Sequence, residues 1–470
     1  MTDLADTAYR DLEPSRPSDR PLGKIKRALA VLRSRDPEHL PARQAVGIFA
    51  LRGVSAGIAY LSQVFLARWM GGTEYGIFVS VWSWLLMVAL VSSLGLSITV
   101  LRFLQAARAD GASDLERGVL WGTRAISLTI STAMMLAGIG LVWLLQDTVG
   151  SAYILPAVLV LICLPMFALM DVQDGIARSY DWMDLALVPP YIARPIILLL
   201  CIGAIAAIGL PATATMAAGS AIVATWVTCI VQTLLLRRRL RGEVEPGPKR
   251  LKMREWVVVS LPVLFSDSFA FLLLNADVLV LTMLRPPEEV AIYFAATRTI
   301  SLIAFIAFAV AAASGHRFAE AHATGNAEAL RSMLTRSVAW TLWPSLAAAV
   351  FIIAVGPFVL SLFGPQFTVG YAPMCVLAIG FLVRAAVGSS ERLLNMAGAE
   401  RACALVYIAA LAVNLTLNVT LIPIYGLMGA AIATVCALTV ESAGLAWLIR
   451  SRFAVSIVSG WNPRAAFRSS

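Results

Sequence analysis

Apolar residues run along this chain in stretches of about 20, the length of helix that crosses the hydrocarbon core of a bilayer, with short polar breaks between them. Twelve such stretches lie near 44–67, 76–100, 119–145, 150–170, 187–208, 212–236, 256–283, 290–313, 336–362, 369–390, 402–422 and 427–449. The pattern predicts an all-α polytopic membrane protein, with twelve transmembrane helices in two pseudo-symmetric six-helix lobes around a central cavity. Its segments would be a basic tail at 1–43, a first lobe at 44–236, a linker at 237–255, a second lobe at 256–449 and a tail at 450–470. The linker, RRRLRGEVEPGPKRLKMRE, is broken by Pro and Gly and is strongly basic, as expected of a connection between two bundles.

An internal repeat supports that division. GTEYGIFVS at 72–80, after the first span, aligns with PEEVAIYFA at 287–295, after the seventh, at an offset of 215 residues. Glu74 then meets Glu289, Ile77 meets Ile292 and Phe78 meets Tyr293. Both copies enter from the same side, so the repeat is parallel and implies a pseudo-twofold axis along the membrane normal. Carried back into the preceding helices, the same offset sets Arg52 opposite Asp267. Two opposite charges at corresponding depths are expected to face a shared interior rather than lipid.

Composition agrees with the periodicity: 59% of the 470 residues are hydrophobic and 14% are charged, and the mean hydropathy is +0.80. Lys and Arg mark the orientation, because they concentrate in cytoplasmic loops. With both termini inside, 30 of the 37 fall on cytoplasmic segments and Arg68 and Arg285 on the other face. The net charge of +9 is therefore largely a matter of topology, and no nucleic-acid partner is expected. The tail has no apolar core of the kind a cleavable signal needs. Its Lys24–Arg35 segment, KIKRALAVLRSR, suits either a helix lying on an anionic membrane surface or a disordered basic arm.

The six cysteines sit singly within spans and the three histidines (His39, His316, His322) on cytoplasmic segments. Neither set has the spacing of a metal site or a catalytic triad. The connections on the outer face are short and offer only Glu74, Asp147, Glu288 and Glu289 as acids. A polymerase or glycosyltransferase working there would need a larger loop to position its catalytic groups, so an enzyme is not expected.

The chemistry must lie within the spans, where an ionised side chain costs about 2.5–3.5 kcal/mol or more unless it has a partner, a water-filled cavity or a ligand. Arg52, Arg124, Arg194, Arg298 and Arg384 fall there, with Asp267, Asp277 and Glu441. Arg52, Arg194 and Arg384 lie six to eight residues from the basic ends of their spans, roughly 9–12 Å deep. Arg194, between Pro189–Pro190 and Pro195, should stand on a distorted helix. Arg124 is shallower, where a long side chain can simply snorkel. Asp277 lies towards the outer end of its helix, where a helix-end role is the simpler reading. Asn414 and Asn418, at i, i+4, could contact sugar hydroxyls or bond a neighbouring helix.

Four motifs carry a family resemblance: ARWMGGTEYGIF (67–78), DGIARSYDWMDLALVPPYIARP (174–195), ADVLVLTMLRPPEEVAIY (276–293) and LNVTLIPIYGLMGAAIATV (417–435). In order and spacing the chain resembles the polysaccharide (O-antigen/exopolysaccharide, Wzx-type) flippases of the multidrug/oligosaccharidyl-lipid/polysaccharide exporter superfamily. The resemblance implies a polyprenyl-diphosphate-linked oligosaccharide, turned across a bacterial inner membrane by alternating access for surface polysaccharide biosynthesis. It implies a diphosphate held by Arg52, Arg194, Arg384, Arg298 and Arg124, because a guanidinium fork matches phosphate oxygens. Asp267, Glu441 and Asp277 would couple or gate transport. No cofactor is expected beyond a coupling ion, H⁺ or Na⁺, and partners would be the lipid-linked substrate, membrane lipids and polysaccharide polymerase machinery. A cation-coupled multidrug exporter of the same fold is the rival, although its cationic substrates would favour acids over the five intramembrane arginines.

Overall fold

The computed structural model describes residues 40–148, 150–307, 310, 327–396, 398–453, 457 and 461. Lys24–Arg35 and the three histidines lie outside the described residues. The chain divides into two compact units, Met1–Val54 and Ser55–Ser470, each described by itself. The first contributes the start of a helix that carries Arg52. The pairing expected of Arg52 with Asp267 joins the two units and stands as an expectation.

The described secondary structure is entirely helical, as hydrocarbon demands of segments that must satisfy their own backbone hydrogen bonds. The helices are α1 (Leu40–Ser93), α2 (Leu96–Ala109), α3 (Ser113–Leu144), α4 (Ser151–Leu161), α5 (Leu164–Ser179), α6 (Met183–Val188), α7 (Arg194–Ala207) and α8 (Ala214–Glu243). They continue as α9 (Met253–Leu284), α10 (Pro287–Ile300), α11 (Ala327–Ser361), α12 (Tyr371–Ala385), α13 (Ser390–Met396), α14 (Glu400–Tyr425) and α15 (Leu427–Phe453). Eleven runs among the described residues are long and apolar enough to cross a membrane. The first, Leu51–Ala109, has 59 residues, far more than one crossing needs, and it bends back at Gly71. Counted as two, it brings the total to the expected twelve.

That bend corrects the sequence reading, which placed a loop at 68–75. Two helices meet directly, and one non-helical residue, Gly71 at φ 77° and ψ 175°, turns the chain between them. Only glycine adopts that geometry without strain. The second span is interrupted after Ser93, where Leu94 (φ 52°) and Gly95 (φ 66°) break the helix before α2 resumes, and the run continues to Ala109. Arg102 and Arg108, read as part of a cytoplasmic connection, therefore stand on α2. Around the tandem prolines the helix does distort: Pro189–Ala193 forms a single π-helical turn that hands over to Arg194.

The end poor in Lys and Arg is closed by a packed seam. Its centre joins positions related by the 215-residue offset, since the Thr73 hydroxyl donates to Glu288. Beside it, a Cβ added to Gly76 would stand 1.8 Å from the carbonyl oxygen of Pro287, so the two helices touch backbone to backbone. Tyr75 meets Phe294 and Phe367 at ring-centroid distances of 6.5 and 6.2 Å, and Tyr60 meets Phe363 edge-on at 5.6 Å. Polar ends finish the seam. Arg68 Nε donates to the Leu362 carbonyl at 2.8 Å, and Glu74 accepts from the Ala214 N–H at 2.7 Å, where the first turn of α8 favours a negative charge.

Candidate functional site: an arginine-lined cavity

Away from the seam, α9, α10 and α12 diverge around a cavity of 450 Å³, within the range of about 300–1,000 Å³ common to small-molecule sites. Arg298, Arg384 and Arg392 line it, and Glu391 is the one acid among its described lining residues. Asn275, Thr297, Ser301, Ser345 and Ser389 add neutral polar groups. Arg298 sits on the last turn of α10 with its guanidinium carbon 4.6 Å from the ring centre of Phe294. This contact holds the cation without using up its hydrogen-bond donors. Arg384 ends α12; a turn through Gly388 (φ 58°) follows, and α13 carries Glu391 and Arg392, which line the same cavity.

Behind that wall lies an ion pair whose acid is fully buried. Arg384 Nη2 stands 3.2 Å from Glu441 Oε1, and the Glu441 side chain is 1% exposed. The second oxygen, Oε2, is buried and bonds nothing among the described residues. Arg384 is the more exposed partner, at 35%, so it can turn towards an anion in the cavity while Glu441 cannot follow. The Tyr407 hydroxyl is within hydrogen-bond reach of Glu391, which ties the acid of the wall to α14.

Asp277 departs from the helix-end reading. It is 2% exposed and accepts from the Tyr293 hydroxyl at 2.6 Å, the Thr434 hydroxyl at 3.0 Å and its neighbour's N–H at 2.8 Å. Those bonds join α9, α10 and α15 just behind the cavity. Replacing the carboxylate with an amide would present a donor where both hydroxyls donate, and an unsatisfied buried group costs about 1–3 kcal/mol. Asp277→Asn is therefore expected to lower the unfolding temperature in detergent more than Tyr293→Phe does; equal or smaller loss would mean the carboxylate is not the hub of this junction.

The remaining sequence-predicted residues lie elsewhere. Asn418 Nδ2 donates to Asn414 Oδ1 at 2.8 Å, and both are fully buried in α14, so this bond stays within one helix and reaches no neighbouring one. Arg194 stands on the other half of the bundle, its guanidinium carbon 4.5 Å from the Phe167 ring centre and 5.9 Å from that of Trp82. Arg124 lines a different pocket, at the basic end. Asp267 is half-buried on α9 within electrostatic reach of Asp171, an acid on α5 close to Ser93 and Ser97. Sequence reasoning passed over Asp171, Glu391 and Arg392, the last two because they were assigned to a loop. The Gly388–Ser389–Ser390 sequence after Arg384 was the available sign of a turn between two helices.

The DGIARSYDWMD motif builds the basic end. Asp174 pairs with Arg178, Tyr180 stacks on Trp182 at 4.8 Å, and Arg239 grips Asp184 through two bonds of 2.9 and 2.6 Å.

A family model described as Polysaccharide biosynthesis protein matches residues 42–319, more than half of the chain. The chain belongs to the polysaccharide biosynthesis protein family. A second model, MatE, matches residues 262–420 of this family member. No curated protein sequence matches it. Among solved structures it is similar to a multidrug resistance MATE family transporter of the MOP superfamily in an inward-facing conformation, at 16% identity and TM-score 0.65, covering 86% of this chain and 94% of that one. The outward-facing conformation of a multidrug resistance MATE family transporter is similar at 17% identity and TM-score 0.61, covering 91% and 98%. A MOP superfamily transporter from Pyrococcus furiosus, whose binding pocket of reverse polarity suggests a different function, is similar at 17% identity and TM-score 0.58, covering 91% and 98%. At these identities the likeness establishes the fold. With eleven runs among its described residues long and apolar enough to cross a membrane, the chain is a multi-pass membrane protein of the polysaccharide biosynthesis protein family.

Proposed function

We propose that this transporter is a flippase that carries a polyprenyl-diphosphate-linked oligosaccharide from the cytoplasmic to the outer face of a bacterial inner membrane. The observation that carries the reading is the charge of the cavity, where Arg298, Arg384 and Arg392 oppose Glu391. A diphosphate in transit needs cations with several donors, and guanidinium groups supply them. Drug cations need the reverse, so the cavity disfavours the multidrug exporter that the fold would equally house.

In this reading the two lobes, 44–236 and 256–449, rock about the seam at Thr73–Glu288 and Gly76–Pro287, and the cavity loads from the basic, cytoplasmic side. The diphosphate draws Arg384 away from Glu441, which then takes up H⁺ or Na⁺, and Asp267 and Asp277 complete the coupling set. Arg52 and Arg194 serve the opposing lobe. The polymerase machinery that extends the oligosaccharide would be the downstream partner.

The test is complementation in two hosts. In a strain lacking its own flippase the gene should restore surface polysaccharide; in a strain stripped of drug exporters it should leave drug tolerance unchanged. Raised tolerance without restored polysaccharide would assign the cavity to drugs.

A further inference from the structure

A second cavity, of 270 Å³, opens at the basic end between the start of α3, the end of α8 and the connection that follows α8. It shares no lining residue with the arginine-lined cavity. Its wall is built rather than incidental. The Arg250 N–H donates to the Asp114 carbonyl at 2.9 Å, and Arg117 holds the carbonyls of Pro248 and Glu245 at 2.9 and 3.0 Å. A Cβ on Gly118 would fall 1.9 Å from the Arg250 carbonyl oxygen, so the strap lies directly on the helix. Lys249 Nζ stands 5.2 Å over the Trp121 ring.

Five cations line this pocket, Arg117, Arg124, Arg237, Arg241 and Lys249, against Glu245 as the one acid among its described lining residues. Arg117 is occupied by carbonyls. Arg124 is not: its Nε and Nη2 are buried and have no hydrogen-bond partner among the described residues. Leaving charged donors buried and unmet costs more than the about 1–3 kcal/mol of a neutral group, and the cations around Arg124 add repulsion. An anion with several oxygens removes both penalties.

We propose that this pocket binds a phosphate group, carried by an anionic phospholipid headgroup or present as soluble phosphate, with the Arg124 fork as its innermost ligand. The lipid source has the stronger support. Trp121 at the rim is 47% exposed, as befits a residue at the headgroup level, and basic pockets between helices on the cytoplasmic side suit acidic headgroups. The site stands apart from the proposed flippase cavity, so either assignment can fail alone.

Full-length protein would be purified in detergent and titrated with phosphatidylglycerol, phosphatidylcholine or inorganic phosphate, reading bound lipid by native mass spectrometry and stability by thermal unfolding. Wild type should retain one phosphatidylglycerol that Arg124→Gln holds about tenfold more weakly, equivalent to about 1.4 kcal/mol. Phosphatidylcholine should show no such difference. Arg237→Gln, at the pocket's edge, serves as the second variant should Arg124→Gln fold poorly. If instead inorganic phosphate raises the unfolding temperature of wild type but not of the variant and displaces the lipid, the ligand is soluble phosphate and the pocket's chemistry stands. Equal lipid retention by wild type and variants, with no response to phosphate in either, overturns the proposal.

Discussion

Arg384→Ala is expected to destabilise the protein and to stop transport, and the two effects should separate in a double variant. The substitution leaves Glu441 1% exposed without the cation 3.2 Å away. Removing one member of a buried pair costs about 3–5 kcal/mol, because the other charge stays desolvated and alone. Replacing both members with apolar residues of similar size is close to neutral for stability. Arg384→Met with Glu441→Leu should therefore recover most of the lost unfolding temperature in detergent. Under the proposed function it should not recover polysaccharide export, because the arginine assigned to the diphosphate is gone. Recovery of both stability and export in the double variant would show the pair to be a structural brace and remove Arg384 from the substrate path. Glu441→Gln is the complementary case, keeping the cavity cation while freeing it from its acid.

Gly76→Val is expected to open the seam. Even a methyl group there would lie 1.8 Å from the Pro287 carbonyl oxygen, a contact that backbone on both sides cannot relieve. Overpacking of this kind costs about 1–3 kcal/mol, which moves a two-state balance about 5- to 150-fold. The readout is cross-linking between cysteines placed at Thr73 and Glu288, whose side chains touch in the closed seam, in a background without the six native cysteines. Cross-linking should be efficient in the parent and fall with Gly76→Val, together with export. Gly72→Ala is the control, since its added methyl meets side-chain atoms no closer than 3.7 Å. Unchanged cross-linking in Gly76→Val would mean that the seam does not govern access.

How far the molecule was legible in its sequence depends on which forces act along one helix and which act between helices. The spans were legible because hydrocarbon imposes a length and a composition on each one separately. Asn414 and Asn418 share one helical face at i, i+4, as their spacing requires, but their bond to each other differs from the sugar or neighbouring-helix partner expected of them. What each helix turns towards its neighbours was not legible, because an apolar helix that meets lipid on one side and protein on the other carries little contrast between its faces. Arg124 and Arg384 both read as arginines a few turns from the basic end, yet the rotation of their helices sends them to separate pockets. The partner of Arg384 is 57 residues away on α15, and no local spacing announces it. Asp277 looked like a helix terminus because its hydroxyl donors come from two other helices.

Gly71 carries a mechanical consequence. The segment beyond it, residues 72–93, is one unbroken helix about 33 Å long at 1.5 Å per residue. With no loop to absorb motion, a rotation of about 10° at this one glycine swings the far tip by roughly 6 Å, the span of one helical turn. In a transport cycle the joint would be a fulcrum at the end poor in Lys and Arg, and the helix the lever arm converting a small dihedral change there into displacement at the opposite membrane surface.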